Sequence, residues 1–107
     1  GDVSYVTVGV DHEQRPADFY GALSGWEFAP GHVEQGLQVT GPQPMTGFWG
    51  GTGRQNITLM YRVADIGAAV AAVRAAGGTA TDPEQQPYGV TSECIDNQGM
   101  AFYLGQL

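Results

Sequence analysis

The first half of the chain alternates apolar and polar residues in a pattern that predicts one strand, a short helix and three further strands. Residues 4–10 place valines on one face and mixed side chains on the other, which is typical of a sheet packed on helices on one side. The helix is predicted to begin near Arg15 and to end at Ser24-Gly25, with Phe19, Tyr20 and Leu23 as its buried stripe. The next strands are predicted at residues 26–29, 36–40 and 45–49.

The second half of the chain repeats this pattern. Residues 57–63 predict a strand, and Asp65 is placed to cap an alanine-rich helix that Gly77-Gly78 ends. Further strands are predicted at residues 79–81, 89–95 and 100–104, with a loop between Pro83 and Pro87. Each half therefore predicts a βαβββ module, and paired modules usually place a ligand site between them.

Length and charge narrow the classes of function. The 107 residues predict a single domain, with module 1 over about 3–50, a glycine-rich linker over about 50–55 and module 2 over about 56–107. The net charge of −7 and the absence of lysine argue against nucleic-acid binding. No apolar run reaches the length of a membrane span, and the first residues lack the features of a signal peptide. The single Cys94 is compatible with a reducing compartment, so we expect a cytoplasmic protein.

Three motifs in order resemble a known family. They are Phe19-Tyr20 followed by Leu23-Ser24-Gly25-Trp26-Glu27, the helical segment 63–78, and the turn Asp96-Asn97-Gln98-Gly99 before the closing strand. Together they resemble the vicinal oxygen chelate superfamily of glyoxalases, ring-cleaving dioxygenases and bleomycin-resistance proteins. The resemblance implies an α+β fold whose two βαβββ modules form a curved mixed sheet, a cup with the helices outside. It also implies a homodimer.

Metal-dependent members of that superfamily carry histidine on the first strand of a module and glutamate on the closing strand. At the corresponding positions this chain carries Tyr5, Thr58 and Tyr103. Neutral phenols and alcohols bind divalent ions poorly beside imidazole and carboxylate. His12 and His32 both fall in predicted loops. We therefore predict neither a metal nor another cofactor.

The face that would carry those ligands is instead rich in aromatic and hydroxyl groups. Aromatic rings provide flat area for stacking, so this face favours a planar, aromatic or conjugated small molecule. Either Phe48 or Trp49 should point to the ligand by strand parity, and Arg62 is expected to pair with a ligand anion or with Glu93. The predicted ligand-binding residues are Tyr5, Thr7, Phe48, Trp49, Thr58, Met60, Arg62 and Tyr103.

Two functions fit these residues. The first is a metal-independent binding protein of the bleomycin-resistance type, which sequesters a natural product or drug without chemistry. The alternative is a metal-independent cyclase or isomerase of natural-product biosynthesis, in which Tyr103, Tyr5 or Glu93 transfers protons and Arg62 stabilises an enolate. A purely structural domain leaves the aromatic face unexplained. The sequence favours binding over catalysis but does not separate the two.

Overall fold

The computed structural model describes residues 1–31, 33–41, 44–52 and 55–107. These residues form two α-helices and nine strands, which confirms the predicted α+β class. The elements are β1 Val3–Gly9, α1 Gln14–Ser24, β2 Glu27–Pro30, β3 Gly36–Thr40, β4 Met45–Trp49, a 3₁₀ turn Gly50–Thr52, β5 Asn56–Arg62, α2 Ile66–Ala75, β6 Thr79–Ala80, β7 Glu84–Gln86, β8 Gly89–Ile95 and β9 Ala101–Gln106.

The chain divides into two compact units. The first unit comprises residues Tyr5–Thr58, and the second comprises Gly1–Ser4 with Leu59–Leu107. In the first unit the strand order is β2-β3-β4-β1, with β1 and β4 parallel and the other pairs antiparallel. Phe48 lies at the centre of this unit's core and is only 3% exposed. Its ring packs against Tyr20 of α1 and Phe28 of β2.

Helix α1 packs differently from the sequence prediction. Of the predicted stripe, Phe19 is 62% exposed and Leu23 is 70% exposed, and only Tyr20 is half-buried. The helix instead presents the small, buried Ala17 to the sheet. Because residues three apart lie on one helical face, Ala17 and Tyr20 form the contact and the larger apolar residues point away. The prediction of a buried Phe19 and Leu23 is wrong.

In the second unit the strand order is β5-β9-β8-β6, and β7 pairs with residues 89–91 at the start of β8. The core consists of Ile66, Val70, Cys94 and Leu104, with Tyr61 and Phe102 packed against it. Helix α2 begins where predicted, because the Asp65 carboxylate accepts a hydrogen bond of 3.1 Å from the Ala68 N–H. Strand alternation places Tyr61, Phe102 and Leu104 on the sheet face that packs against Ile66 and Val70 of α2.

One strand was not predicted. Residues 84–86 were expected to be loop, yet they form β7 and pair antiparallel with residues 89–91 of β8. The second half of the chain thus contains one strand more than a βαβββ module. Neither helix in the described part of the chain combines the length and apolar character needed to span a bilayer.

Candidate functional site

The first unit fixes Tyr5 in a chain of hydrogen bonds. The Tyr5 hydroxyl donates to Gln38 Oε1 at 3.0 Å, and Gln38 Nε2 donates to the Thr46 carbonyl at 3.1 Å. The Tyr5 ring lies over Gly47, where any side-chain carbon would collide with the phenol oxygen. Strand register places Gln38 beside Gly47, so the three residues share one face of the sheet. Tyr5 therefore has a defined position within this unit.

The remaining predicted residues of the first unit fall in different surroundings. Thr7 and Trp49 lie on the same face as Tyr5, and the Trp49 indole N–H donates to the Glu34 carbonyl at 3.2 Å. Phe48 points to the opposite face and belongs to the core, so strand parity selects Trp49 and removes Phe48 from the predicted site. Thr58, on β5, is buried.

The second unit brings four predicted residues onto one face of its sheet. Met60, Tyr103 and Glu93 form a row across β5, β9 and β8, because Met60 pairs with Tyr103 and Tyr103 pairs with Glu93. Arg62 lies in the next row on the same face, beside Gly105. Among the described residues Arg62 and Glu93 form no ion pair; the ion pair found there joins Arg74 to Asp82 at 3.0 Å. The predicted Arg62–Glu93 pairing is therefore absent.

Glu93 is held by its backbone. Its N–H donates to Thr81 Oγ1 at 2.9 Å, and its carbonyl accepts from the Thr81 N–H at 3.0 Å. The side chain remains exposed. Directly opposite, Tyr103 is half-buried, and residues paired across antiparallel strands have Cα atoms about 4.5–5.5 Å apart. Glu93 and Tyr103 thus project their side chains from neighbouring positions on one face of the sheet.

The surroundings keep Tyr103 protonated. Burial raises the pKa of Tyr103, and the negative charge of Glu93 and the Tyr88 phenol raise it further. A phenol with a raised pKa is a hydrogen-bond donor throughout the neutral range rather than a base. Tyr88 was missed by the sequence reasoning. Tyr88 lies in the turn between β7 and β8. Residues 84–86 show no alternation of apolar and polar residues, so neither β7 nor this turn was predicted.

Two open clefts are lined by residues of the first unit. One, of about 450 Å³, is lined by Trp26 and Thr40 together with their neighbours. The other, of about 400 Å³, is lined by residues that include Tyr20, Phe48 and Ile57. Neither is lined by Tyr103 or Glu93. Because proton transfer requires titratable groups at neighbouring positions, we take the row of Met60, Tyr103 and Glu93 as the candidate site.

The chemistry of the side chains does not fit the metal that the superfamily implies. Tyr5, Thr58 and Tyr103 are neutral oxygen donors, and the structure gives the Tyr5 hydroxyl to Gln38. Within the described ranges no three histidine, cysteine, aspartate or glutamate side chains form a group that could hold an ion. His12 is exposed in its loop and accepts a hydrogen bond from the Gln14 N–H at 3.2 Å, whereas His32 lies outside the described residues.

Comparison with known proteins identifies the fold. The model of the glyoxalase-like domain family matches residues 5–104. Methylmalonyl-CoA epimerase of Streptomyces coelicolor, solved in complex with 2-nitronate-propionyl-CoA, is similar with a TM-score of 0.72 at 14% identity, covering 98% of this chain and 93% of that chain. The Mycobacterium tuberculosis epimerase gives 0.71 at 13%, covering 97% and 86%. A hypothetical protein of Bacillus halodurans C-125 gives 0.77 at 8%, covering 99% and 94%. No curated protein sequence matches.

These findings correct the predicted function. The sequence favoured a bleomycin-resistance-type protein that sequesters a drug or natural product. The Streptomyces coelicolor and Mycobacterium tuberculosis structures are methylmalonyl-CoA epimerases, which are enzymes, so that prediction is wrong. The identities establish a shared fold and not a shared substrate. The comparisons provide no evidence for antibiotic binding or for a role in natural-product biosynthesis.

Proposed function

Since the chain belongs to the glyoxalase-like domain family, we propose that it is an enzyme that moves a proton beside the carbonyl group of a small organic molecule. The observation that carries this proposal is the pairing of Glu93 with Tyr103 on one sheet face. The similar epimerases, one of them solved with 2-nitronate-propionyl-CoA, support an organic carbonyl compound as the ligand.

The two side chains have complementary roles in this reaction. The Glu93 carboxylate removes a proton from the carbon next to the carbonyl, which breaks the C–H bond and leaves an enolate. The Tyr103 hydroxyl, which its raised pKa keeps protonated, donates a hydrogen bond to the enolate oxygen. The proton then returns from Glu93 to carbon. A positioned base typically contributes about 10²–10⁴-fold to such a rate, and one oxyanion donor about 10²–10³-fold.

Deuterium exchange tests the proposal without knowledge of the natural substrate. The protein in D₂O is incubated with a panel of short ketones, 2-oxo acids and 2-alkyl thioesters, and deuterium beside the carbonyl is followed by NMR. We expect exchange with at least one class, a loss of about 10²–10⁴-fold in Glu93→Gln, and a loss of about 10²–10³-fold in Tyr103→Phe. Tyr61→Phe is the matched control, because Tyr61 packs against Phe102 on the opposite face.

The proposal is overturned if the wild-type protein exchanges no member of the panel, or if both site variants exchange at the wild-type rate. A loss of exchange in Tyr61→Phe equal to that in Tyr103→Phe would also contradict it, since a general loss of folding would then explain both. Circular dichroism of each variant separates these cases.

Three narrower expectations from the sequence remain proposals. Tyr88 and Tyr103 bring two phenol rings to the site, which supports an aromatic or conjugated ligand. Aryl-substituted members of the panel should then bind more tightly than alkyl members.

The exposed Phe19 and Leu23 on α1 support a homodimer, which sedimentation of the wild type and Leu23→Glu would test. The single Cys94 supports a cytoplasmic location.

A further inference from the structure

We propose that Arg62 binds a carboxylate or a similar single anionic group of the ligand, so that the site selects small organic anions. This inference rests on the proposed function and adds the substrate class. Arg62 belongs to the same face as the row of Met60, Tyr103 and Glu93, one row further along β5. Two strand spacings and a two-residue shift separate the Cα atoms of Arg62 and Glu93 by about 12 Å.

Arg62 is available for an anion. The residue is exposed, and within the described part of the chain it has no ion-pair partner. Its backbone N–H donates to the Asp2 carbonyl at 2.8 Å, which fixes the end of β5 and the root of the side chain. The planar guanidinium matches the two oxygens of a carboxylate. In a chain of net charge −7, the Arg62 guanidinium lies on the same sheet face as Glu93 and attracts an anionic group to that face.

The surface between Arg62 and the reactive pair is apolar. Gly105 lies beside Arg62, and a side-chain carbon added to it would come within 2.7 Å of Met60 Sδ and 3.3 Å of Leu107 Cδ2. Met60 and Leu107 therefore cover this glycine. A ligand whose anionic group contacts Arg62 places a short apolar segment over these side chains, and its carbonyl then reaches Tyr103. Short-chain oxo carboxylates have this arrangement.

A pair of probes that differ only in charge tests the assignment. Levulinate carries a carboxylate two carbons from a ketone, and methyl levulinate carries the same ketone without the charge. We expect the wild type to bind levulinate at least tenfold more tightly than the ester, measured by NMR titration. Arg62→Gln should weaken levulinate binding about 10- to 100-fold, as expected for loss of a charge-assisted hydrogen bond, and should leave little preference over the ester. Arg74→Gln is the control, because Arg74 pairs with Asp82.

The result separates this inference from the proposed function. If the wild type shows no preference for the anion, or if Arg62→Gln keeps the preference, the inference is overturned even where deuterium exchange occurs. If the preference exists and depends on Arg62 while no carbonyl compound exchanges, the anion site stands and the proposed reaction is wrong. An equal change in Arg74→Gln would attribute the preference to overall charge and would also overturn the inference.

Discussion

The contact between Tyr5 and Gly47 makes a specific prediction for stability. In Gly47→Ala the new methyl group would occupy the position of the Tyr5 hydroxyl, and it would lie 3.1 Å from Tyr5 Cζ and 3.2 Å from the Leu37 carbonyl oxygen. The flexible tyrosine can move, whereas the Leu37 backbone belongs to β3 and is held by its strand pairs. We therefore expect Tyr5 to be displaced and its hydrogen bond to Gln38 to break.

The magnitude follows from three contributions. Loss of the Tyr5–Gln38 hydrogen bond costs about 1 kcal/mol, and overpacking costs about 1–3 kcal/mol. The lower entropy of the unfolded chain with alanine offsets about 0.4–1 kcal/mol. The net expectation is a destabilisation of about 1–3.5 kcal/mol. In a chain of this size, each kcal/mol lowers Tm by about 4–8 °C.

Urea and thermal unfolding of four proteins measure this effect: wild type, Gly47→Ala, Tyr5→Phe and the double variant. Because both single changes break the same hydrogen bond, and the phenylalanine also removes the clashing oxygen, the double variant should lose about 1 kcal/mol less than the sum. Gly67→Ala is the matched control. Its new methyl group meets only Asp65 Oδ1 at 3.5 Å, so it should gain about 0.5–1 kcal/mol.

Two results would refute this reasoning. One is a Gly47→Ala protein as stable as the wild type. The other is additivity of the two changes within about 0.5 kcal/mol, which would mean that Tyr5 and Gly47 do not share the space assigned to them.

Four further predictions follow from other contacts. Asp65→Ala should lose about 1 kcal/mol in urea unfolding, since the carboxylate caps α2 through the Ala68 N–H, and Asp65→Asn should retain most of it. Hydrogen bonds from backbone N–H groups, above all that of Met100, lower the pKa of Asp96. The stability that Asp96 contributes to the fold is therefore complete above the pKa of an unfolded aspartate and is lost as pH falls through the lower folded pKa. Asp96→Asn should accordingly reduce the loss of stability at acid pH. Exchange activity should fall as pH rises through the raised pKa of Tyr103, because the phenolate cannot donate, and the residual activity of Tyr103→Phe should lack that limb. Dialysis against EDTA should leave deuterium exchange unchanged. A loss of exchange on dialysis that one equivalent of a divalent ion restores would contradict the assigned chemistry of the site.

The sequence predicted most of the fold because alternation is strong where one sheet face packs on a helix. Strands β4 and β8 have the predicted bounds, and α2 begins at its predicted cap. Strand β7 was not predicted because Glu84-Gln85-Gln86 contains no apolar residue and is flanked by prolines. Its strand character comes from the hairpin with β8, which is a tertiary interaction rather than a local preference.

The site was only partly predictable, for a related reason. Alternation placed Met60, Arg62 and Tyr103 on one face, because side-chain direction in a strand depends on position alone. Cross-strand partners depend on register, which residue types did not determine. The sequence therefore did not show that Tyr5 contacts Gln38, and it did not place Tyr88 near Tyr103.

The contrast between Tyr5 and Tyr103 has a practical consequence for engineering. The Tyr5 hydroxyl donates a hydrogen bond to the Gln38 amide. Tyr103 lies beside the exposed Glu93, and within the described chain the Tyr103 hydroxyl has no hydrogen-bond partner. Substitutions at the two tyrosines are therefore expected to change different properties of the protein. Libraries aimed at new selectivity belong at positions 60, 62, 88, 93 and 103, whereas changes around Tyr5 and Gly47 would mainly alter heat tolerance.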